Sequence, residues 1–300
     1  MSKLETLRGV IAYPITPFDA EEKVDIHLFK KLTDRLVTSG SHAVAPLGST
    51  GVLPYLSDEE KEAVVEATVE VVAGRVPIVA GVSNLTTERT IYHARFAEKA
   101  GAAAVMIIPM SYWKLTDDEI FAHYRKVADA ISIPIMAYNN PATSGIDMSP
   151  ALLKRLLEIP NVTMIKESTG DVQRMHYLRR VLGGEVAFFN GSNPLALAAF
   201  SAGAVGWCTA APNLIPHLNL ALYNAIQAND LNNARDIFYR QQELLEFITS
   251  KGLPRTVAAG LEILGMEAGG LRSPLVRLTA TEIARLEGLL AELEAFATQY

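Results

Sequence analysis

Eight short apolar runs, each followed by a longer amphipathic stretch, restrict what this 300-residue chain can fold into. They occupy residues 11–15, 43–46, 77–81, 104–108, 134–138, 162–166, 186–190 and 205–209. The runs are apolar throughout rather than alternating, as expected of strands buried on both faces of a parallel sheet. The stretches between them carry helix signals. Ser57 with Glu60 and Thr116 with Glu119 have capping-box spacing, and Asp147 or Ser149 can cap a helix that has Pro150 in its first turn. Gly40, Gly74 and Gly101 stand where helices should stop. Eight strands alternating with helices predict an α/β fold of the (β/α)8 type, a TIM barrel with right-handed crossovers. An open doubly wound sheet is the rival. It is disfavoured because the count reaches eight and no G-x-G-x-x-G follows the first strand.

Strand signals end near residue 215. Helical patterns follow at 218–228, 231–250, around 255–264 and at 281–298, more than a last barrel helix needs. The expected organisation is a catalytic barrel over 1–225 and a C-terminal helical extension over 226–300. A naive length prior would give two domains, but barrels of this type often run this long as one.

Composition narrows the function classes. A net charge of −6, with 20% charged and 49% hydrophobic residues, argues against a nucleic-acid or anionic-membrane surface, both of which need concentrated Lys and Arg. The single cysteine, Cys208, excludes an intrachain disulfide and a zinc-type cysteine cluster and fits a reducing compartment. The opening MSKLETLRGV lacks the apolar core of a secretory signal, and the longest apolar runs are too short to span a bilayer. A cytoplasmic protein with no membrane or nucleic-acid partner is expected. The six histidines show no metal-ligand spacing, so no metal site is expected.

In a barrel, the carboxyl ends of the strands and the loops after them line the active face. That rule selects Gly48-Ser49-Thr50-Gly51, then Pro109 and Tyr112, then Tyr138-Asn139-Asn140-Pro141. It continues with Lys166-Glu167-Ser168, Asn190-Gly191-Ser192 and Thr209. Lys166 is the residue with the most distinctive chemistry. Burial at the inward end of a strand favours a neutral amine, which can attack a ketone and form an imine that then accepts electrons. A structural ion pair with a rim carboxylate is the other reading of such a lysine. Tyr138, one strand over, could relay protons or be a core tyrosine with a satisfied hydroxyl. Gly48 to Gly51 offers backbone N–H groups and two hydroxyls suited to a carboxylate. It is not a phosphate loop, because Val52-Leu53 stands where Lys-Ser or Lys-Thr is required. Trp207 and Cys208 pack at the end of strand eight, and Asp117-Asp118-Glu119 reads as a helix start stabilised by the dipole.

Three motifs in order, Gly48-Ser-Thr-Gly, Tyr138-Asn-Asn-Pro and Ile165-Lys-Glu-Ser-Thr-Gly-Asp171, give the chain a family character. It resembles the dihydrodipicolinate synthase/N-acetylneuraminate lyase family of class I, Schiff-base-forming lyases over nearly its whole length. The resemblance implies that Lys166 forms an imine with pyruvate or a pyruvoyl group, so that no cofactor is needed. It implies that Tyr138 shuttles protons with Ser49, and that Thr50 and the loop backbone, with Gly48 and Gly51, hold the carboxylate. Tyr112 matches a tyrosine that family members lend across a dimer contact, although its loop is one residue longer. Thr143, Gly191 and Cys208 complete the expected substrate-binding set, and the assembly implied is a homotetramer built as a dimer of dimers. Two positions depart from the synthases of the family. Thr143 stands where an arginine binds the aldehyde's carboxylate, and Val52 replaces a common glutamate. A hydroxyl cannot supply a guanidinium's bidentate charged clamp.

The expected activity is therefore that of an aldolase or dehydratase on a 2-oxo-3-deoxy or 4-hydroxy-2-oxo acid. Dihydrodipicolinate (4-hydroxy-tetrahydrodipicolinate) synthase is the enzymatic alternative. A non-catalytic 2-oxo-acid-binding protein is the alternative of another class. A phosphate or flavin barrel fits poorly, because Asn190-Gly-Ser-Asn and Thr209-Ala-Ala-Pro do not make a glycine-rich phosphate site.

Overall fold

The computed structural model describes residues 7–182 and 186–297; the opening hexapeptide and Thr298 of the last expected helix lie outside them. The strands are β1 (Gly9–Ala12), β2 (Ala43–Val44), β3 (Val79–Gly81), β4 (Ala104–Ile107), β5 (Ile135–Asn139), β6 (Val162–Glu167), β7 (Ala187–Asn190) and β8 (Gly206–Thr209). The helices through the fifth strand are α1 (Ile26–Thr38), α2 (Asp58–Val72), α3 (Thr87–Ala100) and α4 (Asp117–Ala128). Then come α5 (Pro141–Ser144), α6 (Pro150–Leu156), α7 (Val172–Leu182) and α8 (Ala196–Ser201). The last four are α9 (Pro216–Gln227), α10 (Leu231–Lys251), α11 (Leu253–Ile263) and α12 (Ala280–Ala297). The strands form one sheet in the order β2-β1-β8-β7-β6-β5-β4-β3, and the fold is a (β/α)8 barrel with C-terminal helices.

All eight expected strands are present, with edges moved for backbone reasons. Residues 13–15 and 45–46 fall outside β1 and β2, where Pro14 and Pro46 have no N–H to give a ladder. β5 and β6 each run one residue further than expected, to Asn139 and Glu167. Both anticipated capping boxes form. Ser149, not Asp147, caps α6, accepting from Leu152 N at 3.1 Å. Gly101 closes α3 in the left-handed conformation, at φ 108°. A third capping box, Thr279 with Glu282, opens the last helix.

Contacts group the chain into two compact units, 1–8 with 77–208, and 9–76 with 209–300. In the first, β3 to β8 pair in parallel register, with Tyr138 opposite Lys166 and Lys166 opposite Phe189. Ile107, Ile135, Met136, Ile165 and Phe189 are all fully buried there. Burying such side chains contributes about 1.5–3 kcal/mol each. Tyr124 of α4 donates to Ile107 O at 2.6 Å, and burial pushes its phenol pKa up. In the second unit, β1 pairs with β2, and α9 to α12 bury Leu222, Ile237, Leu244 and Leu286. Asn213 donates to Tyr13 O at 2.9 Å, fixing the end of β1. Among the described residues no helix is long and apolar enough to cross a membrane.

Candidate functional site

The first unit assembles a lysine–tyrosine pair at the ends of β5 and β6. Lys166 and Tyr138 are neighbours in the strand register and both are buried. The Lys166 Nζ lies 3.7 Å from the centroid of the Tyr138 ring, so the amino group rests on the aromatic face. Asn140 Nδ2 donates to the Tyr138 hydroxyl at 2.7 Å, so the phenol oxygen is the acceptor in that bond.

Gly191, just past β7, makes room for the lysine. A Cβ at this position would come within 1.8 Å of Ser168 Oγ and 2.7 Å of Lys166 Cε, so both side chains crowd the space a larger residue would fill. The backbone N–H of Gly191 donates to Glu167 O at 2.8 Å, which fixes the glycine against β6. Ser168 Oγ is buried beside this space with no hydrogen-bond partner among the described residues.

Alternation along β6 sends Glu167 to the opposite face from Lys166, where it is completely buried. Its Oε1 accepts from Thr169 N at 2.8 Å, and Asn139 Nδ2 approaches its two oxygens at 3.4 and 3.2 Å. Arg174 Nε sits 3.1 Å from Oε2, an ion pair out of line for a hydrogen bond. The same guanidinium reaches Asp147 Oδ2 at 2.9 Å and donates to Met148 O. Sequence reasoning assigned no role to Asn140, Asn139, Glu167 or Arg174, and took Asp147 only as a possible cap. Asn139 and Glu167 flank recognisable residues, whereas nothing in the local pattern of α7 marks Arg174.

The second unit carries the Gly48–Gly51 loop. Thr50 is buried and Ser49 half-buried. Leu47 and Val52, on either side, both adopt left-handed conformations, at φ 59° and 48°. A β-branched residue held there costs about 1–3 kcal/mol, which the surrounding contacts must offset. Thr16 Oγ1 donates to Gly51 O at 2.9 Å, and Tyr55 N donates to Val52 O at 2.9 Å. Gly51 is closely packed: a Cβ would lie 3.1 Å from Leu47 N, tighter than an ordinary contact. Behind the loop, Arg272 grips Glu60 with both terminal nitrogens at 2.6 Å and donates to Tyr55 O at 2.9 Å. That pairing holds the Glu60 carboxyl pKa below its ordinary value and raises that of Arg272.

The remaining candidates are dispersed. Tyr112 and Trp113 are 89% and 77% exposed, with their rings edge-on at 5.5 Å. Thr143 is exposed on α5, and Cys208 is buried on β8. Among the described residues no group of three or more His, Cys, Asp or Glu could hold a metal ion. The assembled pair offers a buried amine, a phenol beside it and a polar scaffold behind it, the parts needed for reversible carbonyl addition.

Comparison with known proteins gives concordant results. The family model described as the dihydrodipicolinate synthetase family matches residues 6–293. A 4-hydroxy-tetrahydrodipicolinate synthase of Cereibacter sphaeroides is 35% identical over 286 residues, covering 95% of this chain and 98% of the relative. The enzyme of the same name from Hyphomonas neptunium is 33% identical, covering 94% and 97%. Among solved structures, a Pseudomonas aeruginosa protein is 54% identical with a TM-score of 0.94, covering 96% of this chain and all of the other. The 4-hydroxy-tetrahydrodipicolinate synthase of Methylacidiphilum fumariolicum SolV is 29% identical, also at 0.94, covering 98% of each.

Proposed function

Because the chain belongs to the dihydrodipicolinate synthetase family and is a Schiff-base-forming class I lyase, we propose that Lys166 is the residue that forms the imine. The observation that carries this assignment is the buried Lys166 Nζ, 3.7 Å from the Tyr138 ring, in space that Gly191 leaves open. The Lys166 amine, through its lone pair, adds to the 2-oxo carbon to give a carbinolamine, whose hydroxyl takes up a proton and leaves as water to give a protonated imine. That cation accepts the electron pair released when a C–C bond breaks or when a proton leaves the carbon next to the imine; in dehydration the enamine so formed then expels a hydroxyl, which leaves with its bonding pair. Tyr138 carries protons to and from the carbinolamine oxygen, its hydroxyl oriented by Asn140. Ser49 assists this transfer. Thr50, with the backbone of Gly48 and Gly51, takes the substrate carboxylate, and Gly191 and Cys208 border the binding space. The reading calls for no cofactor other than the covalent imine.

The substrate we favour is a 2-oxo-3-deoxy or 4-hydroxy-2-oxo acid, processed by aldol cleavage or dehydration. Thr143 is uncharged and exposed, so it supplies no cation for a second carboxylate, and residue 52 is a buried valine, so it brings no charge to that region either. The synthase reading, condensation of pyruvate with aspartate semialdehyde, draws on relatives of that name at 30–35% identity. We further read the protein as cytoplasmic, with residues 1–225 as the catalytic barrel and 226–300 as a helical extension. It would assemble as a homotetramer in which Tyr112 reaches a neighbouring subunit.

The test is to incubate the protein with pyruvate, reduce with borohydride and weigh intact protein and peptides. An adduct confined to the Lys166 peptide and lost in Lys166→Ala supports the assignment. Folded protein that traps neither pyruvate nor longer 2-oxo acids sinks it and favours a binding protein. Turnover of pyruvate with aspartate semialdehyde, and not of the 2-oxo-acid panel, would select the synthase.

A further inference from the structure

Glu167 poses a problem that the imine chemistry does not use: a fully buried carboxylate, next in the chain to the imine-forming lysine, on the other face of β6. A buried charge of this kind persists only if it is paired and hydrogen-bonded. The cation that meets it, Arg174, comes from the first turn of α7 and is itself mostly buried. Its guanidinium spans three targets: Glu167 on β6, and Asp147 and Met148 O in the segment leading to α6. Asn139, at the end of β5, bonds the same two acids and accepts from Met148 N at 2.9 Å. Glu167 and Asn139 are also partners in the strand register, one position beyond Lys166 and Tyr138. The polar cluster thus clamps, from behind, the two strand ends whose opposite faces carry the amine and the phenol.

We propose that Arg174 is a positioning residue for the imine-forming step. Through Glu167 and Asn139 it fixes the ends of β6 and β5 relative to each other, and so holds Lys166 Nζ in its place against Tyr138. Through Asp147 and Met148 it also ties down the segment that includes Thr143. A guanidinium is suited to this because its planar fork can address Glu167, Asp147 and a carbonyl at once, which an ammonium on a flexible stem cannot. An error of about 1 Å in a reacting group costs on the order of 100-fold in rate, so a clamp one residue from the nucleophile matters for chemistry.

This inference rests on Lys166 being the imine-forming residue. Three variants are compared with the wild type: Arg174→Lys, Arg174→Met, and the charge-balanced double variant Arg174→Met with Glu167→Gln. The double variant guards against simple unfolding, since it leaves no unpaired buried carboxylate. For each, thermal unfolding, the equilibrium affinity for pyruvate and the borohydride-trapped adduct rate at saturating pyruvate are measured on folded protein. The expected result is a trapping rate at least tenfold lower in the double variant, with pyruvate affinity changed less than threefold and partial recovery in Arg174→Lys. A double variant that is folded and traps at the wild-type rate overturns the positioning role while leaving the imine assignment intact. Failure of the wild type to form an adduct at Lys166 removes both.

Discussion

Gly191→Ala puts the crowding around the lysine to a quantitative test. The added methyl would sit 1.8 Å from Ser168 Oγ, 3.1 Å from Ser168 Cβ and 2.7 Å from Lys166 Cε. The serine hydroxyl can rotate away. The lysine must retreat from 2.7 Å to ordinary contact at 3.4 Å, a displacement of about 0.7 Å that its terminal nitrogen shares. Misplacement on that scale costs on the order of 100-fold in rate, about 2.7 kcal/mol of barrier. Overpacking should cost a further 1–3 kcal/mol or so of stability. The φ of Gly191 is not positive, so alanine adds no backbone strain of its own. The assay is the borohydride-trapped pyruvate adduct followed by intact mass against time, beside a thermal melt. In the companion variant Gly191→Ala/Ser168→Gly the serine collisions vanish and the lysine collision stays. Stability should partly return while the trapping rate remains low. A Gly191→Ala protein that traps pyruvate as fast as wild type would refute the reasoning, because the lysine would then have no need of that space.

Three other outcomes follow from the geometry. Tyr138→Phe keeps the ring against Lys166 Nζ but removes the oxygen that accepts from Asn140, so the melting temperature should barely move while turnover falls about 10²–10⁴-fold; an activity within twofold of wild type would exclude the phenol as proton carrier. Arg272→Met should cost about 1–2 kcal/mol at pH 7, after allowance for solvent screening, because it strips Glu60 and Tyr55 O of their donor. Since the Glu60 carboxyl pKa is lowered in the folded state, that contribution is complete above about pH 4.5 and fades as pH falls through the folded value; calorimetry should show the gap closing in acid. His42 Nδ1 accepts from Val10 N at 3.2 Å, its ring meets Tyr223 edge-on, and burial lowers its pKa. Its neutral form therefore stabilises the fold fully above pH 6.5 and progressively less below, and His42→Asn should flatten the fall in melting temperature between pH 7 and pH 5.

The architecture was legible in the chain because its signals are local and repeated. Eight apolar runs with helices between them announce a barrel, and the helix starts at Ser57 and Thr116 form as their spacing implies. Lys166 and Tyr138 could be singled out because strand ends are readable and the active face of a barrel follows from them. The motifs around them named the family. Strand edges near Pro14 and Pro46 shifted for a reason equally local, the missing N–H of proline.

The surroundings of the lysine were a different matter. Ser168 and Gly191 are 23 residues apart in the chain, and only the pairing of β6 with β7 brings their side-chain space together. Arg174 lies on a helix whose periodicity says which face is buried, not which carboxylate it will find there. Its meeting with Glu167, Asp147 and the Met148 carbonyl depends on where the first turn of α7 lies beside the end of β6 and the segment before α6. Likewise, no local rule foretells that a valine at 52 will be held in the left-handed region. Periodicity and capping are properties of neighbours along the chain, so the sequence by itself determined the elements and the chemistry-bearing strand ends. Charge pairing, excluded volume and backbone strain act between segments distant in sequence, and only the tertiary structure decided them.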